Sequence, residues 1–264
     1  MLPVTQNANF THITSRDNPQ LKELRRLTQD STAYRKQGRV WLEGDHLARA
    51  ALQRGLRPAL ALYAESFWDR EGAAWVSHAQ RNLVLPDALF KDLSGLESPA
   101  PMAFVMDLPV LSAVRGAVPT VVLDRVQDAG NVGSILRSAA AFGFKQVLAL
   151  KGTAALWSPK VLRAGMGAHF ALDLIEGLAL ESVLELQVPL IVTSSHQGAL
   201  IQDQALPWPC AWAMGHEGQG ICEALMARAE WAVRIGQPGG EESLNVAAAA
   251  AICLHASALS ALKT

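Results

Sequence analysis

The residues of this chain best able to do chemistry fall in three polar clusters: Asn131-Val-Gly-Ser-Ile-Leu-Arg137, Gly215-His-Glu-Gly-Gln-Gly220 and Ser243-Leu-Asn245. In the first, Gly130 and Gly133 let a backbone come close to a ligand, and Asn131 can both donate and accept hydrogen bonds at a helix start. Arg137 follows about two turns into the same helix. The second cluster sets a buried-looking acid, Glu217, among Gly215, Gly218 and Gly220. The third closes a glycine-bearing turn, Gly236-Gln-Pro-Gly-Gly-Glu-Glu-Ser-Leu-Asn245. Taken singly, each is ordinary turn chemistry, with Asn131 as a cap and Arg137 paired to a surface acid. Converging loops of this kind form a pocket walled by backbone amides and carbonyls, which suits an adenosine-containing ligand held by few side chains.

Other chemistries lack their residues. The glycines do not spell G-x-G-x-x-G and no acid ends the following strand, which disfavours a nicotinamide oxidoreductase; no phosphate-loop motif occurs. The three cysteines, Cys210, Cys222 and Cys253, have no C-x-x-C spacing and no clustered histidine, so buried free thiols are expected, with neither a disulfide framework nor a bound metal. His46, His169, His196 and His255 show no partner pattern and read as structural or surface residues. No apolar run reaches the roughly 18 to 20 uncharged residues of a membrane span. Met1 to Thr14 lacks the basic start and apolar centre of a secretory signal, so a soluble, cytoplasmic protein with no membrane partner is expected.

Periodicity supplies the elements that must hold the clusters. With 264 residues, half of them hydrophobic, the chain has room for one large domain or two smaller ones. A capped helix is predicted from Asn18 to Leu27, followed by a strand over Arg39 to Glu43 and a helix over Asp45 to Arg54. Apolar runs at Ala59 to Tyr63, Leu83 to Leu85 and Met102 to Met106, with a helix over Pro86 to Ser94, complete a small α/β domain at residues 1–108. Prolines, a glycine and a lapsed period mark a linker at 109–118. Across 119–264, strands are predicted at Thr120 to Asp124, Gln146 to Leu150, Leu190 to Thr193, Ala211 to Met214 and Ala232 to Ile235. Helices are expected over Val132 to Phe142, Pro159 to Ala164, Ala179 to Leu186, Ile221 to Arg228 and Leu244 to Leu262, the alternation of a parallel sheet covered on both faces. Between Met1 and Arg57 ten Lys and Arg face five Asp and Glu, an excess compatible with a phosphate backbone and almost as well with a solvated helix face.

The ordered set N-x-G-x-x-x-R, G-x-E-G-x-G and S-L-N resembles the three motifs of the SpoU (TrmH-like) ribose 2′-O-methyltransferases of the SPOUT superfamily, over about Val121 to Leu262. The resemblance implies a C-terminal parallel-sheet α/β domain with a deep trefoil knot, S-adenosyl-L-methionine bound in the knot, and a homodimer. It also implies an active site of Asn131, Arg137, Glu217, Ser243 and Asn245, with the backbones around Gly215, Ile235 and Leu244 holding the cofactor. The N-terminal part is similar to the family's small α/β RNA-binding domain, through Ser15-x-x-Asn18-x-x-Leu21-Lys22 and the stretch Arg35 to Gly44. One departure stands out: the second motif commonly reads G-N-E-G, and here His216 replaces the Asn.

The activity implied is methylation of a ribose 2′-hydroxyl in structured RNA, ribosomal RNA ahead of transfer RNA. A non-catalytic RNA-binding or ribosome-assembly protein on the same fold is the reading from a different class, and the intact motif residues speak against it. A guanidinium stays protonated, so Arg137 is expected to bind a phosphate and stabilise the developing alkoxide in place of accepting a proton.

Overall fold

Buried aliphatic runs make the strands and the polar residues between them make the turns. The computed structural model describes residues 10–95, 98–110, 113–194, 198–239 and 243–262. The first residues of Met1 to Thr14, part of the predicted linker, His196 and part of the Gly236 to Asn245 turn lie outside the described residues. The chain divides into two units: residues up to Pro109 together with Trp157–Arg163, and Val110–Leu156 together with residues from Ala164 onward.

The first unit contains β1 (Phe10–His12), α1 (Pro19–Gln29), α2 (Ala33–Gln37), β2 (Arg39–Glu43), α3 (Asp45–Gln53), β3 (Leu60–Ala64), α4 (Glu65–Trp75), β4 (Arg81–Leu85), α5 (Asp87–Leu93) and β5 (Met102–Asp107). Its sheet runs β1-β4-β3-β5-β2, with β1, β4 and β3 parallel and β5 antiparallel to both β3 and β2. The start of α1 is set by its sequence, since the Asn18 side chain accepts from the Gln20 N–H at 2.9 Å and Pro19 occupies the first turn. Trp41, Tyr63, Phe90 and Phe104 fill the core. Arg16, Lys22 and Arg49 pair with Asp92, Asp17 and Asp45, whereas Arg26, Lys36, Arg54 and Arg57 are exposed.

The second unit contains β6 (Thr120–Asp124), α6 (Ala129–Ala141), β7 (Gln146–Leu150), the end of α7 (Pro159–Gly165), β8 (Asp173–Leu178), β9 (Leu190–Thr193), β10 (Ala199–Leu200), β11 (Ala211–Gly215), α8 (Glu223–Arg228), β12 (Trp231–Arg234) and α9 (Val246–Ala261). Among the described residues these strands form one seven-stranded parallel sheet in the order β10-β12-β9-β11-β6-β7-β8. The chain steps from β6 outward to β8, returns on the other side at β9, and inserts β11 between β9 and β6. The direction in which the chain adds strands therefore reverses at the β6/β11 pair, and open parallel sheets bind ligands beyond the carboxyl ends of strands at such a point.

Helices α6 and α9 pack against each other. The Trp212 indole N–H donates to the Ser257 hydroxyl at 2.8 Å, which ties α9 to β11. A second cluster, including Val122, Leu148, Ile175, Val192, Ala213 and Leu225, forms a core of the unit. The predicted helix over Ala179 to Leu186 is instead a 3-10 helix, Leu180–Glu185. Among the described residues no helix is long and apolar enough to cross a membrane, and no group of His, Cys, Asp and Glu could hold a metal ion.

Candidate active site

β6 and β11 end side by side, Asp124 opposite Gly215. The chain leaves β6 through Arg125, whose backbone is left-handed at φ 60°. A non-glycine residue there is strained and must be held by its surroundings. Here the holding is visible: the Arg125 guanidinium donates to both oxygens of Asp124, at 2.8 and 3.3 Å, and to the Gln219 side chain at 2.9 Å. Asp124 is buried, its side chain 3% exposed, and also accepts from the Cys222 N–H at 2.7 Å. Burial pushes this carboxyl's pKa up, but the hydrogen bonds from Arg125 and Cys222 outweigh burial and hold it below the ordinary carboxylate value. One carboxylate thus clips the exit of β6 to the loop that follows β11.

That loop is closed on itself. His216 and Gly220 exchange two backbone hydrogen bonds, at 3.0 and 2.8 Å. A Cβ on Gly215 would lie 2.3 Å from the backbone of Gly220 and Ile221, so only glycine fits where the loop folds back. Nδ1 of His216 accepts from the backbone N–H groups of Gly218 and Gln219 at 3.0 and 3.2 Å. An accepting Nδ1 leaves the ring hydrogen on Nε2, and the imidazole serves as the loop's internal cap.

The first cluster differs from its expectation in two ways. The N-cap of α6 is Asp128, whose side chain accepts from the Asn131 N–H at 2.8 Å, so the helix starts at Ala129 and Asn131 sits within its first turn. Freed from capping, the Asn131 carboxamide bridges the other clusters: Nδ2 donates to Glu217 Oε1 at 3.1 Å, and Oδ1 accepts from Asn245 Nδ2 at 2.9 Å. Gly133 is buried and serves packing in place of ligand approach, because a Cβ there would come within 2.4 Å of the Ala164 Cβ. Asn245 caps α9 with its other amide atom, accepting from the Ala247 and Ala248 N–H groups.

Glu217 is exposed, not buried as its apolar approach strand suggested, because the loop carries it past the strand end to the surface. Its carboxylate accepts from the backbone N–H groups of Gln127 and Asp128 at 3.2 and 3.1 Å as well as from Asn131. Partial burial raises its pKa, yet those donors overcome this and bring it down to about 2. Such a group is a brace and a poor base. A folded-state pKa below the ordinary glutamate value of 4.5 means its stabilising contribution is present above about pH 4.5 and fades as pH falls toward 2. A carboxyl-carbon NMR titration should place the Glu217 midpoint near 2, and Asn131→Ala should move it upward; an unshifted midpoint would discard the brace.

Asn131, Glu217 and Asn245 are thus brought together from three loops. Beside them opens a cavity of about 550 Å³ whose lining includes Gly215, Glu217, Ile235, Ser243, Leu244 and Asn245. The one expected site residue apart from this group is Arg137. It lies on α6 in an exposed stripe with Gly130, Ser134 and Ala141, outside the cavity lining. The sequence reading missed Asp124, Arg125 and Gln237, the last also in the lining. A carboxylate closing a buried parallel strand was the available signal, since a charge there needs partners. His169 is structural as expected: it is buried, bonds the Leu156 carbonyl at 2.8 Å, and burial lowers its pKa to about 4.

The chain is similar to known proteins in sequence and fold. Residues 119–255 match the model described as the SpoU rRNA Methylase family, and residues 18–103 match the MRM3-like substrate binding domain. The chain is 30% identical over 218 residues to the 23S rRNA (guanosine(2553)-2'-O)-methyltransferase RlmP of Bacillus subtilis, covering 81% of this chain and 86% of the relative. A crystal structure of an RNA 2'-O ribose methyltransferase superimposes with a TM-score of 0.80 at 31% identity, covering 96% of this chain and 100% of that one. The AdoMet-bound rRNA methyltransferase from Sinorhizobium meliloti gives a TM-score of 0.80 at 25% identity, covering 94% of this chain and 97% of that one.

Proposed function

The chain belongs to the SpoU rRNA methylase family, and on that premise we propose that it transfers a methyl group from S-adenosyl-L-methionine to a ribose 2′-hydroxyl of ribosomal RNA. The observation that carries this reading is the junction of Asn131, Glu217 and Asn245 beside one cavity at the sheet's switch point. The cavity's residues fit the cofactor. Its volume falls within the roughly 300 to 1,000 Å³ of small-molecule sites, and Glu217 and His216 are its only ionisable lining side chains among the described residues. A buried acceptor, Gln237 Oε1, awaits a donor there. The backbones of Gly215, Ile235 and Leu244 would hold the cofactor, which when bound supplies an electrophilic methyl carbon.

The protein's task is then to bring the sugar oxygen into line with that carbon. Glu217 fixes the Asn131 carboxamide, Asn131 fixes Asn245, and the pair shapes the cavity mouth. Ser243, exposed at the rim, offers a hydroxyl to the incoming ribose. Arg137 holds a neighbouring phosphate and stabilises negative charge developing on the 2′-oxygen. The first unit, with its exposed Arg26, Lys36, Arg54 and Arg57, contributes the affinity for structured RNA.

The family's trefoil knot is supported by the insertion of β11 between strands laid down earlier in the chain. Three free thiols, Cys210, Cys222 and Cys253, suit a reducing, cytoplasmic setting. A homodimer is supported by the stripe Ala248, Ile252, His255 and Leu259 on α9 with Leu262 at its C-cap, where Leu259 is 44% and Leu262 83% exposed. Ile252→Glu with Leu259→Glu should convert a sedimenting dimer to monomers; a wild-type monomer at micromolar concentration would refute the dimer.

Mapping of ribose methylation in total RNA from cells with and without the gene tests the activity. Loss of one ribosomal 2′-O-methyl group is expected. An unchanged ribosomal map rejects the proposed substrate.

A further inference from the structure

Gln237 follows β12 by a few residues and stands on the wall shared by the candidate site and a larger cavity of about 900 Å³. Its Oε1 is buried and accepts no hydrogen bond from the described residues. A buried carbonyl without a donor loses its hydration for nothing in return, and native structures rarely leave one so unless a ligand completes it.

Position in the sheet says which part of a ligand would meet it. Asn131 and Glu217 lie beyond β6 and β11, whereas Gln237 lies beyond β12, two strands from β11. At about 4.8 Å per strand this puts some 10 Å between the end where methyl transfer must occur and the β12 edge. Among the described residues, the lining of the candidate site on the β9 and β12 side, Thr193, Ser194 and Ile235, carries no charge, Arg234 lining only the adjoining cavity. An amino-acid tail with an ammonium and a carboxylate needs charged partners when it leaves water; a neutral heterocycle does not. A carboxamide sets an acceptor beside a donor, which matches the amino donor and adjacent ring-nitrogen acceptor on the edge of adenine.

We propose that Gln237 reads the base of the cofactor, Oε1 accepting from the adenine 6-amino group and Nε2 donating to the neighbouring ring nitrogen. This rests on the function proposed above. It makes Gln237 a specificity residue for the nucleobase, distinct from the three clusters that shape the reacting end.

Calorimetric titration with S-adenosylhomocysteine and with its 6-oxo counterpart, S-inosylhomocysteine, tests the assignment without turnover. The wild-type protein should prefer the adenine compound by about tenfold or more, the usual worth of a paired carboxamide and adenine. Gln237→Met should remove most of that preference by weakening the adenine compound, while the thermal midpoint stays near wild type. Equal wild-type affinity for the two compounds overturns the proposal even if the variant does not fold, as does a Gln237→Met protein that discriminates fully. Wild-type protein that binds neither compound overturns this assignment and the methyltransferase reading together; binding with discrimination that ignores Gln237 overturns this assignment alone.

Discussion

Arg137→Lys should lower turnover by about two to three orders of magnitude, the range seen when a preorganised stabiliser of developing charge is lost, while S-adenosyl-L-methionine affinity and thermal midpoint stay at wild-type values. The side chain is exposed, lies outside the cavity lining, and makes no hydrogen bond or ion pair with the other described residues, so its replacement leaves fold and cofactor pocket untouched. What changes is the shape of the cation. A guanidinium grips phosphate through two parallel N–H donors, whereas an ammonium is a single, strongly hydrated point charge. Single-turnover methylation with purified ribosomal RNA, paired with calorimetry, separates the two effects. Activity of the lysine enzyme that climbs steeply with pH would instead assign proton removal to this position, because an amine can lose its proton where a guanidinium cannot.

The second large effect is expected at a residue outside the cavity lining. Asp124→Ala removes a buried carboxylate that three donors share and leaves the Cys222 N–H unpaired and Arg125 held in a strained backbone without its partner. Loss of one member of a buried pair costs about 3 to 5 kcal/mol, and the part-exposed Arg125 can recover some hydration, so about 2 to 4 kcal/mol is expected. That corresponds to a fall of roughly 5 to 15 °C in thermal midpoint for a chain of this size. Cofactor affinity should fall as well, since the clip sets the loop that carries Glu217. The pH dependence has a definite sign. A carboxyl held below its ordinary 3.8 stabilises the fold above about pH 4, and that contribution is lost as pH falls further. Asp124→Asn should lack this acid-induced loss. An Asp124→Ala protein with a wild-type urea midpoint would show that the clip is dispensable.

The central sheet was legible in the sequence because its strands are buried on both faces. Thr120 to Asp124, Gln146 to Leu150 and Leu190 to Thr193 read as short runs with apolar centres and are strands at those bounds. β8 was not legible: as an edge strand it carries Asp173, Glu176 and Gly177, the charges and glycine that discourage edge pairing and break any apolar period. β1 and β10 are three and two residues long, too short to show alternation. Among site residues, the clusters announced themselves through glycine and carboxamide density, and Asn131, Glu217 and Asn245 do meet. Their bonding was hidden. Nothing local distinguishes an Asn that caps from one that bridges, and here Asp128, three residues earlier, took the cap. The exposure of Glu217 was hidden likewise, because it depends on how far a loop overshoots its strand. Asp124 matters partly through the Cys222 N–H, 98 residues further on, and no short window contains that partner.

The placement of β11 between β6 and β9 has a consequence for synthesis. The Asn131 and Asn245 carboxamides that join are 114 residues apart in the chain, so nearly the whole second half must leave the ribosome before any methyl donor can be captured. Such distant pairings make folding slow, since the entropy of closing long loops is lost before contacts compensate it. A nascent chain halted before α9 would have its central strands but no ligand-binding function, and only completion of the C-terminal helix would switch that function on.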